Sequence, residues 1–132
     1  MNLVGDIMKI PFLLYTAFIS AFGVWLGGFD ALTHAFIMFI IIDYISGVIG
    51  ALINKKLSSE VGFKGIGKKI LMVLSVIVAV ELNKLIPNIP VREMVLFFYI
   101  ANEGISILEN IGKFAPVPEK FKEYFAQLDK GE

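Results

Sequence analysis

Apolar residues in this chain come in long runs, and those runs constrain the fold more than any single residue does. Ile10 to Gly28 and Ala31 to Ile53 are almost uninterrupted, and Ile70 to Val80 is nearly pure aliphatic. A further run opens at Met94–Val95–Leu96–Phe97–Phe98 and continues past Ile100. About 20 apolar residues in a helix cross the roughly 30 Å hydrocarbon core of a bilayer. Lipid offers no hydrogen bonds, so a chain crossing it satisfies its backbone internally, as a helix. Of the 132 residues, 57% are hydrophobic and 18% charged. Soluble domains hold about 45–50% and about 25%. The surplus, blocked into runs, belongs to lipid-facing surface rather than to one large core.

The predicted fold is therefore an all-α integral membrane protein. It has about four transmembrane helices and a short C-terminal amphipathic helix. The spans fall at about 10–28, 31–53, 65–86 and 92–112, within a transmembrane domain 1–115; residues 116–132 form an amphipathic cytoplasmic tail. Pro11 is expected in the first turn of the first span, where its missing N–H is harmless. The run ends without a small-x-small cleavage site, which favours a retained span over a cleaved signal. Gly27–Gly28–Phe29–Asp30 reads as a turn, with Asp30 capping the second helix. Pro87–Asn88–Ile89–Pro90 turns the chain before the fourth span. In the tail, Phe121, Tyr124, Phe125 and Leu128 follow helical spacing, with Lys120, Lys122, Glu123 and Gln127 opposite. That pattern suits a helix on the membrane surface or on a neighbouring copy.

The polar residues inside the runs are the informative ones. On the fourth span, Asn102, Glu103, Ser106, Glu109 and Asn110 fall into one stripe, because residues three and four apart share a helix face. Such a stripe is expensive against lipid and must meet another helix, another copy or water. It is the candidate pore lining or oligomer seam. On the second span, Asp43, Ser46, Gly47 and Gly50 form a narrow face of small residues led by an acid. This is the candidate packing face, since small residues let membrane helices approach closely. Glu81 and Lys84, three apart, are expected to pair locally.

Charge orients the chain. Asn54 to Lys69 carries Lys55, Lys56, Lys64, Lys68 and Lys69 against Glu60. Gly62, Gly65 and Gly67 make it read as a flexible basic loop. It should stay cytoplasmic by the positive-inside rule, which places both termini there as well. Its five lysines are expected to meet anionic lipid head groups, at about 1 kcal/mol each.

Several function classes lack their residues. Net charge is zero, so no basic field draws nucleic acid. Cysteine is absent, and His34 is the only histidine, which leaves no thiolate or multi-histidine metal site and no cysteine nucleophile. Gly62 to Lys69 imitates a phosphate-binding loop, yet Lys69 stands where a hydroxyl should bind magnesium. No nucleophile has a base, and no cofactor site is expected. The chain does not read as an enzyme. An ion or solute channel or transporter subunit using Asp43 and Glu103 remains an alternative, because intramembrane acids serve as proton relays.

Asp43-Tyr-Ile-Ser-Gly47, then Leu57-Ser58-Ser59 and Gly62-Phe-Lys-Gly65-Ile-Gly-Lys-Lys69, resemble the phage holins of the toxin-secretion/phage-lysis type. Asn102-Glu103-Gly-Ile-Ser106-Ile-Leu-Glu109-Asn110 followed by Pro116-Val-Pro118 is similar to a second signature of that family. The resemblance covers about Ala35 to Phe121. It implies a homo-oligomer in the host bacterial cytoplasmic membrane that collapses into large lesions. These release an endolysin, or a secreted toxin, with no direct contact expected between the two proteins.

Overall fold

A computed structural model describes residues 2–130. Five helices follow one another: α1 (Leu3–Trp25), α2 (Ala31–Ile53), α3 (Ser59–Leu85), α4 (Val91–Gly112) and α5 (Lys120–Asp129). Strands are absent among the described residues.

Local chemistry sets the helix starts. Asp30 caps α2 by accepting from the Thr33 N–H at 2.9 Å. Ser58 caps α3 through the Val61 N–H at 3.2 Å. That cap begins α3 well before the expected boundary, so the glycine-bearing basic stretch is mostly helix rather than flexible loop. Propensity loses here to packing: Gly62 and Gly65 lie beneath the ring of Tyr44, which a methyl group at Gly65 would crowd. Helix α1 also starts early, capped by Asn2, so Pro11 lies in its interior rather than its first turn. The carbonyl of Ile7, four residues back, therefore gets no helical N–H from Pro11.

Helices α2 and α4 run parallel and pack along their length, with α3 antiparallel to both. The register is visible in three contacts: Thr33 with Arg92, Asp43 and Lys69 with Glu103, and Ser46 with Asn110. Between α2 and α4 the Asp43–Ser46–Gly47–Gly50 face is closed by Asn110 and Phe114 of the same chain. Phe36, Met72, Val76, Leu96 and Ile100 form the core, joined by Leu26 from just past α1.

Outward-facing surface is apolar on every long helix; Phe12, Ile45, Leu71, Val78 and Phe98 are each at least half exposed. A soluble monomer does not present contiguous apolar surface on this scale, whereas lipid requires it. Helices α1, α2 and α4 are each long and apolar enough to cross a membrane. Of the four expected spans, α3 does not reach that standard by composition. It is 27 residues long, but Lys64, Lys68 and Lys69 before Ile70, and Glu81 and Lys84 after Val80, confine its apolar part. Helix α1 stands apart: from Leu3 to Ser20 its side chains are almost all exposed, and only its end reaches the body.

The tail forms the expected short helix, and α5 lies along α4 of its own chain. Phe125 packs edge-on to Phe39 of α2 with ring centroids 5.7 Å apart, and Leu128 reaches the core.

A candidate ionic site at mid-depth

At 1.5 Å per residue, Asp43 lies about 18 Å along α2 from Ala31, and Glu103 about 18 Å along α4 from Val91. Both acids therefore sit near the centre of their helices. Lys69 of α3 bridges them, its ammonium donating to Asp43 Oδ2 and to Glu103 Oε2. All three side chains are shielded; Glu103 keeps only 4% of its side-chain surface. Asn110 completes the shell, donating to Asp43 Oδ1 at 3.2 Å and to Ser46 Oγ at 3.0 Å. Ser46 in turn donates to the Asp43 carbonyl at 3.0 Å. Every buried polar side-chain atom among the described residues has a partner.

The arrangement solves an electrostatic problem. A lone charge at bilayer depth is among the costliest groups a helix can carry. One cation between two carboxylates, with an amide on the remaining oxygen, shares that burden across three helices. A cavity of about 250 Å³ adjoins the cluster, lined by Asp43, Gly47, Gly65, Lys69, Ser106 and Asn110.

The fourth-span stripe is thereby divided. Glu103, Ser106 and Asn110 turn inward to the cluster and its cavity, while Asn102 and Glu109 stay exposed on the outside of α4. The basic segment is divided too. Lys55, Lys56, Lys64 and Lys68 are exposed, as head-group contact requires, but Lys69 is buried and held by the acids. Its position one residue after Lys68 hides this: on a helix the two point about 100° apart. His34 is exposed near the start of α2.

A second polar node, not anticipated from sequence, closes the opposite end. Arg92, in the first turn of α4, is 7% exposed. Its Nη1 and Nη2 grip both oxygens of Asp30 at 2.9 and 3.0 Å. Nε donates to the Leu26 carbonyl at 2.6 Å, and Nη2 to Thr33 Oγ1 at 2.6 Å. Gly27, at φ +81°, passes so close to the guanidinium that a Cβ there would be 2.7 Å from Arg92 Cδ. The Arg92 N–H is held by Asn83 Oδ1 at 2.7 Å, tying in the end of α3. The readable signal was an arginine beside Glu93 opposite a turn bearing Asp30; nothing local ranked one acid over the other. Glu81 and Lys84 do form their local pair, at 2.7 Å.

Hydrogen bonding from Arg92 holds the Asp30 carboxyl well below its ordinary value near 3.8. A carboxylate depressed by folding adds stability that is complete above the unfolded value and lost as pH falls through the folded one. Asp30 keeps half its side-chain surface, so solvent screens the effect. The expected result is a detergent-solubilised protein whose melting temperature is flat at neutral pH and falls below about pH 4. In Asp30→Asn the acid-side fall should be smaller, with about 1 kcal/mol already missing at pH 7. An unchanged acid profile would show that Asp30 does not contribute this way.

An all-helical body with an apolar exterior and a shielded ionic cluster at mid-depth defines a membrane protein. Residues 20–130 match the bacteriophage holin family. The chain belongs to that family. It is 41% identical over 119 residues to a 14.9 kDa protein from the nagH 3' region of Clostridium perfringens, covering 88% of this chain and 87% of that one. A Listeria innocua protein is 39% identical over 125 residues, covering 93% and 87%. A probable holin of Bacillus phage phi105 is 42% identical over 74 residues, 55% of each chain. No solved structure matches.

Proposed function

We propose that this chain is a working holin, which gathers with copies of itself in the bacterial cytoplasmic membrane and opens lesions that release an endolysin or a toxin. Membership of the holin family over residues 20–130 is the observation that carries this reading. The geometry adds a physical reason. A holin must first disperse in lipid without harm. Pairing Lys69 with Asp43 and Glu103 hides one charge from each of three helices inside one subunit, which lets α3 serve as the fourth span. Four spans place both termini on the side of Lys55, Lys56, Lys64 and Lys68, the cytoplasmic side by the positive-inside rule. Assembly then draws on apolar surfaces such as α1, which has few partners within the chain.

A second reading, a channel or transporter subunit for small ions or solutes, is favoured by the cavity beside Asp43 and Lys69. Induced expression separates the two. A holin halts growth abruptly after a delay and, with a muralytic enzyme present, releases cytoplasmic protein. Altered ion or solute flux with all protein retained would overturn the lesion reading.

A further inference from the structure

Helix α5 is docked where its composition does not belong in lipid. Half of its apolar side is seated: the ring of Phe125 lies directly on Gly104, where a Cβ would overlap it, and meets Phe39 at 5.7 Å, while Phe121 and Tyr124 stay exposed. Gly104 is eight residues before Gly112, so this seat lies about 12 Å along α4 from its cytoplasmic end. Leu128 goes deeper, to the core. Yet Lys122, Glu123 and Gln127 on the other side of α5 are exposed. Asn102 and Glu109, the two stripe residues left outside the ionic cluster, are exposed on the α4 against which it packs. Glu109 and Lys122 line one hollow between the two helices.

We infer that the docked α5 and the outer side of α4 form the surface that meets water at bilayer depth. Asn102, Glu109, Lys122, Glu123 and Gln127 would border the aqueous passage of the assembled lesion. Two facts on these helices point the same way. The seat for Phe125 is built: Gly104 leaves room for the ring. Most groups facing away from it, Phe121 and Tyr124 excepted, are charged or amide-bearing, which lipid rejects at that depth. Water satisfies both, because it allows Phe125 to stay seated and the polar side to stay hydrated. Glu103, Ser106 and Asn110 are committed within the subunit, so the lining consists of what they leave exposed. This inference rests on the lesion reading above.

The chain has no cysteine, so single introduced thiols report cleanly. The experiment uses the full-length protein in cells, with a charged, membrane-impermeant maleimide added before and after lesion opening. Asn102→Cys is exposed and unpacked, so it leaves the fold intact. It should react about a hundredfold faster after opening, since only a hydrated thiol ionises to the reactive thiolate. Gln127→Cys should behave alike in the opened state. The pair Phe39→Cys with Phe125→Cys should be joined within one chain by a short membrane-permeant bis-maleimide in the same fraction. Lesions that open while Asn102→Cys stays unreactive would overturn the inference and leave the lesion reading standing. Disulfide-linked dimers through Asn102→Cys, with no maleimide reaction, would show a second copy on this face and overturn it as well. Reactive Gln127→Cys without the 39–125 cross-link would place α5 at the membrane surface, which also overturns the inference. Cells that never release protein would remove both readings together.

Discussion

Replacing Lys69 with methionine should be the most damaging single change in this chain. Methionine keeps much of the volume but removes the cation that Asp43 and Glu103 share. Two carboxylates would then face each other inside the bundle with one amide, Asn110, for compensation. Breaking a buried pair in this way typically destabilises by about 3–5 kcal/mol. Against a total of roughly 5–15 kcal/mol, that is enough to lose the folded protein from the membrane. The measurement is accumulation in membranes together with thermal unfolding in detergent. The companion variant decides the cause. Lys69→Met combined with Asp43→Asn and Glu103→Gln leaves no net charge and should recover most of the loss. Failure to recover would mean that Lys69 acts through its shape rather than through its charge.

Arg92→Ala should come next in severity. The guanidinium is the joint at which the α1–α2 turn meets the start of α4. Its loss strands the Leu26 carbonyl and releases Asp30, while the Thr33 hydroxyl keeps its bond to the Gly28 carbonyl at 2.7 Å. We expect about 1–3 kcal/mol of destabilisation, because a buried carbonyl loses its donor, while the half-exposed Asp30 is rehydrated once released. Arg92→Lys should recover only part of it. An ammonium keeps the charge but cannot span both oxygens of Asp30 while also reaching the Leu26 carbonyl and the Thr33 hydroxyl. Hydrogen exchange localises the effect: protection should fall first around Leu26 to Thr33 and at the start of α4. Exchange that rises instead around Asp43 and Glu103 would contradict the separation of the two nodes.

Much of the architecture was legible from local pattern. Helix boundaries at Ala31, Ile53 and Leu85 follow from Asp30, from the end of an apolar run and from Pro87. The pairing of Glu81 with Lys84 needs only helical spacing. Misplaced features share one cause, competition between a local signal and a distant partner. Glycines at 62 and 65 argue for a loop until Tyr44 needs their space. Lys69 reads as one of five head-group lysines until two acids from other helices claim it. The fourth-span stripe reads as one surface, because spacing along a helix says which residues share a side and not which neighbour covers each half. Arg92 had no local mark of burial, since the partners that bury its guanidinium lie 59 to 66 residues away in sequence.

The amino-acid sequence alone determined that this chain is helical and belongs in a membrane. Apolar runs of bilayer length leave the backbone no other way to satisfy itself in lipid. It also determined that Asp43 and Glu103 need partners, because lipid cannot solvate them. Tertiary structure alone decided who those partners are. Lys69 is 26 residues from one acid and 34 from the other, and only the antiparallel packing of α3 against α2 and α4 brings the three charges together.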